Sequence, residues 1–110
     1  MSVSRESPAI QTCIERLRYC AELYRRNIYA EEELVIKFNS YSVEDRVKDE
    51  AHAIREAYNR EHHNRIMSGI QLYGVKMELF DATNGDISLW PDDLKKHHPS
   101  NDRLVAACCS

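Results

Sequence analysis

Apolar positions recur at helical spacing over most of this chain. Ile10, Ile14, Leu17, Ala21, Tyr24 and Ile28 follow one another at steps of three and four, which sets them on one face of a helix. Cys13 and Cys20 widen the stripe, and Arg16, Arg18, Arg25 and Arg26 fall mainly outside it. Ser7-Pro8 starts the element well, because serine can cap and proline at the first helical position gives up a donor that has no partner there. The pattern predicts a helix over 8–38. Leu34–Phe38 also fits a short strand by its β-branched residues. Helix is preferred, since no partner strand lies nearby in sequence.

Asn39–Ser42 is the best turn, and Ser42 with Asp45 has capping-box spacing. A second helix is predicted over 43–83. Its stripe runs through Val43, Val47, Ala51, Ile54, Tyr58 and His62, then Ile66, Ile70, Tyr73, Met77 and Phe80. The last five alternate steps of four and three, a heptad-like seam. Five glutamates stand four residues before a base (Glu22–Arg26, Glu33–Lys37, Glu44–Lys48, Glu56–Arg60, Glu61–Arg65). That order favours exposed helix.

Asn84-Gly85 then reads as a helix cap, with Ile87 a candidate hydrophobic contact. The alternative over 75–90 is a β-hairpin with Asn-Gly at its tip. Gly69 and Gly74 mark a bend or a close approach of another helix. Residues 91–98 read as a short third helix, with acids first and lysines last. The remainder reads as a mobile tail.

Together these elements predict an all-α fold: one domain over 1–110, a long antiparallel helical hairpin plus a short C-terminal helix. With the turn centred on residues 40 and 41, Leu34 falls opposite Val47, Leu23 opposite Tyr58, and His62 opposite Tyr19 and Cys20. The segment Val75–Phe80 then extends beyond the first helix, and Ile87, Leu89, Trp90 and Leu94 are available to fold back over it. Two helices bury one stripe each, a small core. The stripes are wide, with Cys13, Cys20, Leu23 and Leu72 at their flanks. A homodimer forming a four-helix bundle is therefore expected.

Composition narrows the function classes. The 110 residues carry a formal net charge of -3 with the signs interleaved, which argues against a nucleic-acid binder. Met1–Ser7 has no apolar stretch of a secretory signal. The longest apolar run, Leu34-Val35-Ile36, is too short for a membrane span, so a cytoplasmic protein without a membrane partner is expected. Cys13 and Cys20 lie two turns apart on one face and cannot bridge within one helix. Cys108-Cys109-Ser110 carries no prenylation box, which needs cysteine at the position of Ala107.

Candidate chemistry centres on the histidines. His52, Glu56 and His63 share a face of the second helix and form a candidate metal set with ligands from another chain. A Glu-x-x-His di-iron spacing is absent; Asp49-x-x-His52 is nearest. Cys20 with His62 is a candidate nucleophile pair. Arg46 and His52 have five residues between them, and Arg55 and His62 have six. This spacing resembles the Arg-x4–6-His motif of the HEPN domains, a family of all-helical ribonucleases. Val47 departs from the polar residue usual after the arginine. The resemblance implies histidine as general base and arginine as the stabiliser of phosphorane-like charge, with Arg46, His52 and His62 as catalytic residues. Asp81–Asp92 has calcium-ligating residue types, but Gly85 falls one place early for an EF-hand.

No signature calls for a cofactor. The leading expectation is a non-enzymatic protein-interaction or regulatory module. It acts as a homodimer and uses Tyr73, Met77, Phe80 and Trp90 to bind a protein partner. The alternative is a small all-helical hydrolase, HEPN-like or metal-dependent.

Overall fold

The structure is a computed structural model that describes residues 7–101. The expected mobile tail lies almost entirely outside the described residues. Two long helices pack against each other, α1 over Pro8–Asn39 and α2 over Asp49–Ala82. Of the described residues 85% are helical, and none is in a strand. The fold is therefore all-α, and both strand alternatives fail.

The element boundaries correct the sequence reading in two places. First, α2 begins at Asp49 rather than at residue 43. Ser42 does cap, its Oγ accepting the Asp45 N–H at 3.2 Å. The turn it caps is a single 3-10 turn, Asp45–Val47, which ends where Lys48 becomes extended at φ -81, ψ 160. Asp49 and Glu50 then open α2, where acids suit the positive end of the helix dipole. Second, residues 91–98 form a 3-10 helix, Asp92–His97, between Pro91 and Pro99. So short a segment cannot repay α-helix nucleation. Further 3-10 turns cover Ile87–Leu89 and Pro99–Asn101.

The chain divides into two compact units, Met1–Ala21 with Gln71–Ser110, and Glu22–Ile70. In the first, Ile10, Ile14, Leu17 and Cys20 of α1 are buried, together with Leu72, Val75 and Leu79 of α2 and the later Trp90 and Leu94. Arg16 pairs with Glu78, so α1 runs alongside the segment expected to overhang it. Arg18 holds Asp93 through two hydrogen bonds of 3.1 Å.

The end of α2 closes with a Schellman motif. Gly85 N–H donates to the Phe80 carbonyl at 2.8 Å, and Asn84 N–H donates to that of Asp81 at 3.1 Å. Asn84 and Gly85 both take positive φ, 53 and 75. The chain then folds back. Trp90 is wholly buried, and its indole N–H donates to Thr83 Oγ1 at 3.0 Å. Thr83 donates in turn to the Leu79 carbonyl at 2.8 Å.

In the second unit the helices run antiparallel. The Tyr24 ring lies against Gly69, Asn27 against Ser68 and Glu31 against His62. These pairs displace the expected register by more than three helical turns. His62 meets Glu31 rather than Tyr19 and Cys20, and Val47 is 74% exposed rather than packed on Leu34. Part of the displacement comes from the long connection Ser40–Lys48, which replaces a tight turn.

The buried face of α2 also differs from the expected stripe. It follows Ala51, Ile54, Ser68, Leu72, Val75 and Leu79. These positions fall on one seam of alternating threes and fours that also passes through Tyr58 and Arg65. The expected stripe leaves this seam at His62, so Ile66, Ile70 and Tyr73 are exposed. Cys20 and Leu72, expected to flank a dimer contact, lie in the chain's own core.

Candidate functional site

The main polar cluster of the second unit sits on the facing sides of its two helices. Glu31 of α1 is the hub: His62 Nδ1 donates to its Oε1 at 2.9 Å, and Arg65 Nε donates to its other oxygen. One helical turn away, Asn27 donates to Ser68 Oγ at 3.0 Å, and that hydroxyl donates to the Arg65 carbonyl at 3.0 Å. Tyr58 stacks on the His62 ring, centroids 5.5 Å apart and 20° from parallel.

The Glu31 side chain is only 13% exposed. Burial pushes its carboxyl upward, but the hydrogen bonds and charges of His62 and Arg65 outweigh that and hold it below its usual range. Glu31 in turn raises Arg65. No buried side-chain nitrogen or oxygen among the described residues lacks a hydrogen-bond partner. In this cluster Asn27 and Glu31 of α1 are answered across the helix pair by Ser68, His62 and Arg65 of α2.

The sequence-predicted catalytic residues are not brought together by these contacts. Arg46 lies on the 3-10 turn, with its guanidinium 5.5 Å over the Phe38 ring and its Nε donating to the Tyr41 carbonyl at 3.3 Å. His52 is exposed on α2. His62 belongs to the Glu31 cluster. Arg55 lines a cleft of about 240 Å³ with Leu34, Phe38, Ile54 and Tyr58. His52, Glu56 and His63 are all exposed on α2, and among the described residues no group of three His, Cys, Asp or Glu side chains is placed to hold a metal ion. Cys13 and Cys20 are free thiols. Burial, then the nearby Glu78, pushes the Cys13 thiol up against the opposing pull of Arg16, a direction that disfavours the nucleophilic thiolate.

The sequence-predicted binding residues all fall in the first unit. Tyr73 is 55% exposed, and Met77 and Phe80 are half-buried. Trp90 is in the core and offers no exposed surface of its own. His98 was not anticipated as a structural residue. It is buried, 4.8 Å from the Trp90 ring and 5.4 Å from that of Phe80. Its adjacency to Pro99 and Ser100 carried no signal of that role.

No helix among the described residues is long and apolar enough to cross a membrane. The chain matches no protein-family model, no curated protein and no solved structure.

Proposed function

We propose that the protein is a non-enzymatic interaction module that works as a homodimer, with the helix pair of Glu22–Ile70 doubling into a four-helix bundle. One observation carries this reading. That unit buries only Ala51, Ile54 and Ser68, yet leaves Tyr29, Ile36, Ile66, Met67 and Ile70 largely exposed. Tyr29 and Ile36 lie seven apart on one face of α1, and Ile66 and Ile70 lie four apart on one face of α2. Scattered apolar side chains need no cover, but faces of this kind mark association surfaces.

Two clefts support the reading. One of about 320 Å³ is lined by Ile28, Val35 and Ile36 beside Glu31, Glu32 and Arg65. The other is the 240 Å³ cleft walled by Leu34, Phe38, Ile54 and Tyr58. Apolar side chains of a second helix pair fit such walls, and a stable interface takes roughly 800 Å² per partner. Tyr73, Met77 and Phe80 remain available for a protein partner of another kind.

The hydrolase reading has less support. Arg46 is held by Phe38 and Tyr41, His62 by Glu31 and Tyr58, and His52 is exposed on α2. Charge substitution tests the proposal. Ile36→Lys combined with Ile70→Lys is expected to halve the solution mass while far-UV circular dichroism keeps its helical form. A wild-type mass already equal to one chain would refute the dimer. His52→Ala with His63→Ala is expected to leave the dimer intact.

A further inference from the structure

His98 holds the C-terminal segment by a hydrogen-bonding pattern that only the neutral ring satisfies. Ser100 N–H donates to its Nδ1 at 3.1 Å, so Nδ1 carries a lone pair and the ring hydrogen is on Nε2. That Nε2–H donates to the Gly85 carbonyl at 3.2 Å. The Ser100 hydroxyl lies 2.7 Å from Nδ1. His98 is 3% exposed and wedged between the Phe80 and Trp90 rings. It thereby ties the Asp92–Asn101 stretch to the residue that completes the α2 cap.

A second proton can enter only at Nδ1. There the Ser100 amide hydrogen already points, and that bond is lost. The hydroxyl can reverse to accept; the amide cannot. The new charge sits among partners that carry none: the Phe80 ring from α2, the Gly85 carbonyl and Trp90 ring from the following stretch, and Ser100. Asp86, beside Gly85, gives its carboxylate to the Ser88 amide and hydroxyl. The titratable groups of the preceding 3-10 helix are Asp92, Asp93, Lys95, Lys96 and His97, and Asp93 pairs with Arg18 of α1. Lys95 pairs with Asp92, and Lys76 and Lys96 both lie near enough to act on His97. An uncompensated buried charge is costly.

We propose that His98 is an acid-sensitive latch: protonating its ring releases the Asp92–Asn101 segment and uncovers Phe80 and Trp90. The latch stands on its own geometry. Only its consequence, that acidification opens a larger docking surface next to Met77, rests on the interaction reading above.

The chain has one tryptophan, so Trp90 emission in the full chain reports the latch directly. The test is a titration from about pH 8 to about pH 5, the range in which histidine changes charge, on wild type, His98→Gln and His97→Gln. Wild type and His97→Gln are expected to shift their emission maximum to longer wavelength on acidification, and His98→Gln to show no transition. A wild-type maximum that stays fixed overturns the proposal, as does a transition that survives in His98→Gln. Should His98→Gln already emit at longer wavelength near pH 8, nuclear magnetic resonance of the wild type decides. The His98 ring and Trp90 indole N–H signals must then move with one midpoint, and separate midpoints overturn the latch. None of these readouts depends on dimerisation, so failure of the dimer and failure of the latch are distinguishable.

Discussion

Arg65 reaches across to Glu31 on the other helix, although Glu61 stands four residues before it on its own. The cross-helix pair makes Glu31 a point of register rather than of surface solubility. Replacing Glu31 by Gln is expected to destabilise the fold by about 1–3 kcal/mol near pH 7, because Arg65 loses a charged acceptor in a half-buried position. Urea denaturation of the two proteins checks it. A difference below about 0.5 kcal/mol would reduce the pair to an ordinary surface bridge.

The same pair sets a pH dependence. The Glu31 carboxyl is held below its ordinary range in the folded chain. Its contribution is therefore complete above the unfolded glutamate value, about pH 4.3, and is lost as pH falls through the folded value. The stability gap between wild type and Glu31→Gln is expected to close between pH 5 and pH 2, measured by urea titration at each pH. A gap that stays constant over that range would contradict the assignment.

These residues also show what was legible in the sequence. The two long helices, the all-α class and the cap at Asn84-Gly85 were readable, because periodicity and the Asn-Gly signal are local, whereas the start of α2 at Asp49 was not. The register was not. The buried seam of α2 passes through Arg65 and Ser68, and that of α1 through Asn27 and Glu31. A reading that follows hydrophobicity steps aside at these polar positions, to His62 and Ile66 on one helix and Ile28 on the other. Only the pairing across the helices reveals that the polar residues face inward. The proposed dimer surface inherits the same difficulty, since the residues it uses resemble core in the sequence.

Two glycines of α2 are expected to respond differently to alanine. A Cβ at Gly74 meets nothing within 4 Å, whereas one at Gly69 lies 3.0 Å from the Tyr24 ring. Gly74→Ala is expected to raise stability by about 1 kcal/mol through helix propensity. Gly69→Ala is expected to fall short of that by roughly 1 kcal/mol, because the ring must move. Thermal denaturation of the pair checks the contrast, and equal gains would mean Tyr24 yields freely.

Thr83→Val tests the anchoring of the C-terminal segment. Valine keeps the volume but leaves the buried Trp90 indole N–H without its acceptor. A loss of about 1–3 kcal/mol is expected, the cost of an unsatisfied buried donor. Gly85→Ala is expected to cost about 1–2 kcal/mol, since its φ of 75 lies in the left-handed region and the Phe80 ring is 3.1 Å from the added carbon. Urea denaturation followed by Trp90 emission reads both, and a neutral Thr83→Val would show that the indole finds another partner.

Size-exclusion chromatography with light scattering decides whether two chains associate. At micromolar concentration the expected mass is twice the 12.8 kDa of one chain, falling to one chain when Ile36 and Ile70 are both replaced by Lys. A wild-type mass of a single chain, unchanged on concentration, would contradict it.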